Sequence, residues 1–215
     1  MRDCPSVEIG AGQWLFHEGE PSTVVYVVRH GFVKIVKVTA EGTRLLLALV
    51  GPGDVVGLHG ALEGVVRVTG AQACQDVTVV PIVRGQLHTS MREEPDIAAT
   101  LLAELSRQLR QSVTHIVDLA GGDLMNLLVT RLIDLATRDS YVGARRRNGS
   151  SIIIELPVSQ HELAEWAGMS PRSAATALGV MRRAGIVSTN SMQLVIHDLQ
   201  LLSDLLAPTD APASV

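Results

Sequence analysis

The amino-acid sequence predicts an α+β protein with three parts in order: an N-terminal β-barrel of jelly-roll type, a long helix, and a second, mainly helical domain. Three observations support this prediction. Short β-branched runs separated by glycine-containing turns fill the first part of the chain. A narrow apolar stripe with helical spacing follows them. After it come two short helices with capping residues at their starts and then a β-hairpin pattern.

The composition excludes several classes of protein. With 47% hydrophobic and 19% charged residues, the 215-residue chain can bury a core and is not disordered as a whole. Its two cysteines, Cys4 and Cys74, exclude a disulfide scaffold and a four-cysteine metal site within one chain. The longest apolar run, residues 45–50, is far short of the ~20 residues that a membrane span needs. Because the N-terminus also lacks a signal-peptide pattern, we expect a cytoplasmic protein without a membrane partner.

The charges are unevenly distributed. The net charge is −4, but residues 1–123 hold 10 basic and 14 acidic side chains, whereas residues 124–197 hold 8 arginines and 5 acids. All of the basic residues in the second stretch are arginines, whose planar fork suits phosphate and guanine. This local excess permits nucleic-acid binding by the second part of the chain.

The predicted barrel consists of short strands. Residues 33 and 35 should face one side of their strand, and residues 34 and 36 the other. Strands at this spacing are typical of a sandwich or a closed barrel. The β-like runs are residues 24–28, 32–38, 44–50, 65–73 and 77–83.

A long helix is predicted from about Glu93, with Asp96 as its capping residue. Its apolar positions step by three and four residues, a spacing that favours a two-stranded seam, although packing on the chain's own barrel is the alternative. Ser112 interrupts the seam and needs a polar partner, either its twin in a second copy or a ligand. The predicted dimer interface is Leu102, Leu105, Leu109, Ser112, Ile116 and Leu119.

Two glycines at 121–122 end this helix, and Asp123 can cap the next one, residues 124–137. A polar loop, residues 139–151, should contain Arg145–Arg147, and a strand should follow over residues 152–157. The resulting domain prediction is a barrel over 1–93, a dimerisation helix over 94–120, a hinge at 121–123, a winged helix-turn-helix over 124–207 and a disordered tail over 208–215.

The most specific pattern lies in residues 159–196. Ser159 and Glu162 form a capping-box pattern, Gly168 occupies a tight turn, and Ser170-Pro171 starts a second helix that runs to residue 184. That helix should bury Ala174, Leu178 and Met181. A hairpin and a final helix capped by Asp198 follow. Helix, glycine turn, helix and wing together predict a winged helix-turn-helix, whose second helix enters the DNA major groove.

Arg172 is the only long side chain in the first turn of that second helix, and its fork can bind guanine O6 and N7 together. Arg182 and Arg183 close the helix, where complementing the helix dipole is their alternative role. The predicted DNA-binding residues are Ser159, Gln160, Arg172, Ser173, Thr176 and Arg183.

In its order of motifs the chain resembles the cyclic-AMP receptor protein/fumarate-nitrate reduction regulator (CRP/FNR) family of bacterial transcription factors. The resemblance implies a cyclic-nucleotide-binding-like barrel and a homodimer that regulates transcription rather than catalysing a reaction. The implied partners are palindromic double-stranded DNA and RNA polymerase. The residues that carry the resemblance are Phe16–Glu20, Tyr26–Gly31, Gly51–Asp54, Pro95–Ile97, Asp123 and the 158–187 helix-turn-helix.

The effector site departs from the cyclic-AMP pattern of that family. The pair in which a glutamate holds the ribose reads Gly57-Leu58 here, and the phosphate-binding arginine falls on Arg67. The serine beside that arginine falls on Val68, followed by Thr69. The adenine-contacting pair of the long helix falls on Ser112 and Val113. Because leucine cannot accept ribose hydrogen bonds, we expect that cyclic AMP is not the effector.

Three other interpretations of the effector site stay open. His59 matches the histidine of a ligand pair in haem-containing carbon-monoxide sensors of the family, with Gly57 in place of the cysteine and Cys4 as a second candidate ligand. The regulator could instead need no ligand, with its apolar pocket packed shut. A sensor that acts through a protein partner is the remaining alternative, and salt-dependent duplex binding distinguishes it from a DNA-binding regulator.

Overall fold

The first of two compact units, Met1–Val113 and Thr114–Val215, contains two four-stranded antiparallel sheets. The computed structural model describes residues 5–121, 123–138, 141, 145–148, 151–155, 159–189 and 193–206. The strands of the first unit are β1 (Val7–Ile9), β2 (Trp14–Phe16), β3 (Val24–His30), β4 (Val33–Val38), β5 (Arg44–Val50), β6 (Val55–Val56), β7 (Gly70–Ala73) and β8 (Val77–Val83).

The sheets follow the strand orders β1-β8-β3-β6 and β2-β7-β4-β5, so strands distant in sequence lie side by side. Apolar side chains from both sheets share one core, which includes Phe16, Val28, Val33, Val56 and Val79. This arrangement, together with the helical second unit described below, confirms the α+β fold class with an N-terminal β-domain.

A second core of the first unit lies where helices cover the sheet that contains β3 and β8. Helix α1 (Leu58–Glu63) contributes Leu58 and Ala61, and α2 (Arg84–Glu93) contributes Leu87. The long helix α3 (Pro95–Gly121) adds Leu101 to the same core. The first part of α3 is therefore anchored to its own β-domain.

The second unit is a helical cluster with a small sheet. Its strands pair in the order β11-β12-β10-β9, and its core includes Leu128, Leu132, Ile154, Leu178 and Leu194. The helices are α4 (Leu124–Thr137), α5 (Gln160–Trp166), α6 (Pro171–Arg183) and α7 (Leu199–Asp204). The strands are β9 (Arg145–Asn148), β10 (Ser151–Glu155), β11 (Val187–Thr189) and β12 (Gln193–Ile196). Among the described residues, no helix is long and apolar enough to cross a membrane.

Several local predictions in the first unit were wrong. The expected strand over 65–73 is a strand only at 70–73, because the segment before it turns the side chain of Arg67 inward while Val66 and Val68 stay exposed. The predicted alternation over 33–36, by contrast, holds for Val33 and Ile35, which both pack in the core shared by the two sheets, while Val36 is buried outside that core. Sequence analysis also missed α1 and α2.

Two further predictions need correction. Asp96 does not precede the long helix as its cap but lies in its first turn, since α3 begins at Pro95. Arg145–Arg147 do not lie in a loop; they belong to β9, which pairs antiparallel with β10. The predicted tail over 208–215 and residue 122 of the predicted hinge lie outside the described residues.

The predicted cap of α4 is confirmed and can be tested. Asp123 Oδ1 accepts hydrogen bonds from the backbone N–H groups of Met125 and Asn126, each at 3.0 Å. We expect Asp123→Ala to lower the free energy of unfolding by about 0.5–2 kcal/mol, because two N–H groups of the first turn lose their acceptor. Urea denaturation followed by circular dichroism measures the change. Asp123→Asn keeps an acceptor oxygen and is the control, and equal losses in both variants would contradict a capping role.

Candidate DNA interface and effector site

Helices α5 and α6 each have capping hydrogen bonds at their N-terminal end. Ser159 N–H donates to Glu162 Oε2 at 2.9 Å, and Glu162 N–H donates to Ser159 Oγ at 3.2 Å, which confirms the capping box. Gly168 has φ = 72°, a left-handed conformation that suits glycine in the tight turn. Ser170 then accepts from Ser173 N–H at 3.1 Å, with Pro171 at the first helical position. The start of α6 is thus fixed by local hydrogen bonds.

Helix α6 buries one face and exposes the other. Its buried residues include the predicted Ala174, Leu178 and Met181, and Ala177 joins them. On the opposite face Arg172 is exposed, and its guanidinium makes no hydrogen bond to the described part of the chain. Ala175 and Thr176 are also exposed, so Arg172 is the long exposed side chain of the first two turns of α6.

The two hydroxyls predicted to bind DNA already have partners within the helix. Thr176 Oγ1 donates to the carbonyl oxygen of Arg172 at 2.9 Å, and Ser173 Oγ lies 2.9 Å from Ser170 Oγ. Thr176 therefore presents its methyl group more readily than its hydroxyl. The remaining predicted residues, Ser159 and Gln160 at the start of α5 and Arg183 at the end of α6, are exposed.

The sequence pattern did not indicate the side-chain contacts that join α5 and α6 to neighbouring elements of the second unit. Arg131 of α4 is 9% exposed, and its Nε donates to the carbonyl oxygen of Trp166 at 3.2 Å. Its guanidinium carbon also lies 5.1 Å from the centre of the Trp166 ring. Arg182 Nη1 donates to Thr189 Oγ1 at 3.2 Å and so links α6 to the wing strand β11. Because these pairs are distant in sequence or belong to different elements, no motif predicts them.

Arg67 dominates the geometry of the predicted effector site. Its side chain is 5% exposed, Nη1 donates to the carbonyl oxygen of Gly57 at 2.9 Å, and Nη2 donates to the carbonyl oxygen of Val24. The guanidinium carbon lies 3.9 Å from the centre of the Phe16 ring. The structure thus brings Gly57 and Arg67 together, and it adds Phe16 and Val24, which sequence analysis missed.

The other predicted effector residues do not join Arg67. Leu58 is buried in the core beneath α1, while Val68 is exposed and Thr69 half-buried. Ser112 and Val113 are exposed on α3, and no hydrogen bond within the described chain joins either to residues 57–69. Ser112 Oγ instead donates to the carbonyl oxygen of Gln108 at 3.0 Å, so its polar partner is its own helix.

The surroundings of Leu58 and Arg67 do not fit a bound cyclic nucleotide. Leu58 offers no acceptor for ribose hydroxyls, and both terminal nitrogens of Arg67 are already bound to carbonyl oxygens. His59 is exposed on α1, and Cys4 lies outside the described residues. Among the residues that the structure describes, no three His, Cys, Asp or Glu side chains lie together as metal ligands.

Helix α3 exposes an apolar stripe, which we define as Leu102, Leu109, Val113, Ile116 and Val117. Three members of the predicted dimer seam, Leu102, Leu109 and Ile116, belong to it. Leu105 instead packs partly against the core beneath α1, and the side chain of Leu119 lies outside the described residues. The apolar surface of the helix is therefore covered in part by its own domain, at Leu101 and Leu105, and is otherwise left exposed by the described chain.

Models of known protein families match both units of the structure. A cyclic nucleotide-binding domain model matches residues 6–94, and a Crp-like helix-turn-helix domain model matches residues 127–205. The chain belongs to the CRP/FNR family of transcriptional regulators. DNA binding in this family resides in the helix-turn-helix, so α5 and α6 are its DNA-binding elements.

Full-length relatives support the same assignment. The CRP-like cAMP-activated global transcriptional regulator of Mycobacterium tuberculosis is 26% identical over 197 residues, which cover 92% of this chain and 86% of that protein. The global nitrogen regulator of a Synechocystis species is 28% identical over 191 residues, covering 88% and 83%. The solved structure of FixK2 from Bradyrhizobium japonicum has a TM-score of 0.79 at 25% identity and covers 98% of this chain and 99% of that one.

The support that Arg131 gives to α5 leads to a prediction for this regulator. We expect Arg131→Met to lower the free energy of unfolding by about 1–3 kcal/mol, because the buried carbonyl oxygen of Trp166 loses its charged donor. Thermal or urea unfolding measures the loss. Arg172→Met, on the exposed face of α6, is the matched control and should change stability by less than about 0.5 kcal/mol. Similar values for both variants would refute the supporting role.

Proposed function

We propose that this regulator is a homodimer that binds a palindromic DNA duplex through α6 and that cyclic AMP does not activate it. The observation that carries the proposal is the exposed, unengaged guanidinium of Arg172 on the first turn of a doubly capped helix pair. Ser159, Gln160, Ser173, Thr176 and Arg183 are the remaining proposed contacts with DNA.

Arg172 is proposed to read a base, and the other residues to position the helix. A guanidinium fork can bind O6 and N7 of one guanine together, which discriminates against other bases by ~1–3 kcal/mol. Hydroxyl and amide groups near a helix start, such as those of Ser159 and Gln160, more often contact phosphates, which set orientation and not sequence. Arg183, at the end of α6, suits a phosphate contact in the same way.

The dimer proposal is supported by the exposed apolar stripe of α3. Leu109 and Ile116 are 66% and 64% exposed in the single chain, and they lie seven residues apart on one side of the helix. Two such helices packed along the stripe would bury these side chains at a heptad-like seam. The relatives named above are regulators of a family whose members act as dimers, and a dimer would present two α6 helices to two half-sites.

The absence of cyclic-AMP activation is supported by Leu58 and Arg67, whose environments do not fit the nucleotide. A haem at His59 has no such support, because His59 is an exposed side chain on α1. RNA polymerase as a partner, a cytoplasmic location and the domain limits given above are proposed from the family resemblance and the sequence pattern.

Arg172→Ala tests the proposed base contact. A binding selection on a randomised palindrome should find one symmetric base-pair position in each half-site where the variant loses preference, while affinity for unrelated duplexes stays nearly unchanged. Arg110→Ala, which changes an exposed arginine of α3, is the control and should leave the selected sequence intact. An unchanged sequence preference for Arg172→Ala would show that Arg172 is only a surface charge. No salt-dependent duplex binding by the wild type would favour a protein partner instead.

Leu109→Glu tests the proposed dimer. Placing a carboxylate at the centre of the apolar stripe would bury an unpaired charge in the seam, so the dimer should dissociate at low micromolar concentration. Analytical ultracentrifugation measures the change. Leu47→Glu, at an exposed apolar position of β5, is the control and should remain a dimer. A dimeric Leu109→Glu variant would place the interface elsewhere.

A further inference from the structure

Arg67 is a buried cation whose partners are backbone carbonyls and a ring. It is 5% exposed, and in the described part of the chain no carboxylate lies within ion-pair distance of it. Its two terminal nitrogens donate to Gly57 and Val24, and the Phe16 ring covers its face at 3.9 Å. Its Nε makes no hydrogen bond to the described chain. A buried charge in this state normally requires compensation by an anion or by several dipoles.

We propose that the Arg67 guanidinium acts as an internal ligand: it fills the anion-binding part of the effector site and holds the site in its closed form, so the regulator binds DNA without a nucleotide. The inference rests on the proposed DNA-binding function and adds how the effector site is controlled. Gly57 is the residue that precedes α1, and Val24 begins β3, so one side chain joins the helix to the sheet.

Gly57 makes this arrangement possible. It has φ = 82°, and a Cβ built on it would lie 2.1 Å from Arg67 Nη1 and 3.2 Å from the Phe16 ring. A cysteine or any other side chain at this position would therefore collide with the guanidinium. Glycine at position 57 permits both the left-handed backbone conformation and the close approach of the Arg67 guanidinium.

The surroundings oppose the exchange of this internal ligand for a nucleotide. A phosphate could bind Arg67 only if the guanidinium left the carbonyl oxygens of Gly57 and Val24, and these half-buried acceptors would then lose their donor. At the ribose position Leu58 is 2% exposed and packs with Val25 and Leu87, so its side chain offers no acceptor for the ribose hydroxyls. The backbone carbonyl of Val68 is already bound by Lys37 Nζ at 2.9 Å.

The charge on Arg67 is retained in this environment. Burial lowers the pKa of the guanidinium, while the neighbouring Tyr26 and Glu20 raise it. An arginine in a protein nevertheless stays protonated, so the site holds a permanent positive charge. Two carbonyl dipoles and the negative face of the Phe16 ring compensate it in place of an anion.

The experiment uses the purified 215-residue protein, freed of nucleotides, with a duplex that carries its selected palindrome. Fluorescence anisotropy gives the Kd for DNA, and calorimetry measures binding of cyclic AMP, cyclic GMP and inorganic phosphate. We expect tight DNA binding without additives, a change of less than about twofold in that Kd on adding any of the three, and no heat of binding. A Kd that improves by about tenfold or more with a cyclic nucleotide would overturn the internal ligand.

Two variants test the role of the side chain itself. Arg67→Met retains bulk without donors and should weaken DNA binding by about tenfold, with no rescue by nucleotides. Amide hydrogen exchange of residues 58–63 should also accelerate, because α1 loses its link to β3. Arg67→Lys keeps the charge but not the fork and should give an intermediate effect. Arg84→Met, which changes an exposed arginine nearby, is the control and should behave as the wild type.

The outcomes separate this inference from the proposed function. If the wild type binds DNA only with a cyclic nucleotide, the proposed DNA binding through α6 stands, but the internal ligand and the proposed lack of cyclic-AMP activation are both wrong. If no duplex binds under any condition, the proposed function fails, and the nucleotide titrations still decide whether the site is closed. If Arg67→Met does not fold, the nucleotide and phosphate titrations of the wild type, together with the DNA binding of Arg67→Lys, decide whether Arg67 acts as an internal ligand. The proposal would also be refuted if added phosphate or nucleotide slowed the amide hydrogen exchange of residues 58–63 in the wild type.

Discussion

The long helix α3 has more apolar surface than its own β-domain covers, and the proposed dimer depends on this constraint. Leu101 and Leu105 pack on the β-domain, whereas the adjoining exposed apolar stripe is left uncovered by the described chain. An apolar helix surface of this width needs a second partner. Pairing of two copies along the stripe would give a two-fold symmetric dimer. A two-fold symmetric DNA site is the natural target of such a dimer.

Each unit contains a buried arginine whose partners are a backbone carbonyl oxygen and an aromatic ring. Arg67 and Arg131 each donate to a backbone carbonyl oxygen, and each lies against an aromatic ring, Phe16 in one case and Trp166 in the other. The chain contains only six aromatic residues. Guanidinium groups lie over four of these rings, which indicates that the rings serve as electrostatic partners of arginine. In each case the arginine joins two elements that are distant in sequence, so burying the charge also fixes tertiary structure.

The sequence predicted features that depend on local chemistry. The capping box at Ser159, the left-handed Gly168 and the cap at Asp123 follow from residue types at fixed spacing, and the structure contains all three. The sequence-based predictions failed where tertiary contacts override the local residue pattern. Residues 65–69 have β-forming side chains, yet the inward turn of Arg67 prevents a regular strand. The contacts of Arg67 with Val24 and of Arg131 with Trp166 span 43 and 35 positions, and no sequence motif encodes them.

Apart from Arg172, the exposed side chains on the first two turns of α6 are short, and this affects which DNA sites the regulator can distinguish. With Ala175 and Thr176 beside Arg172, one helix can make a single forked base contact and a methyl contact with thymine. Two half-sites together would then discriminate by only a few kcal/mol through direct contacts, less than many regulators achieve. The rest of the selectivity would have to come from how easily the duplex bends. Base pairs between the half-sites, which no side chain touches, would then separate strong from weak operators through their stiffness.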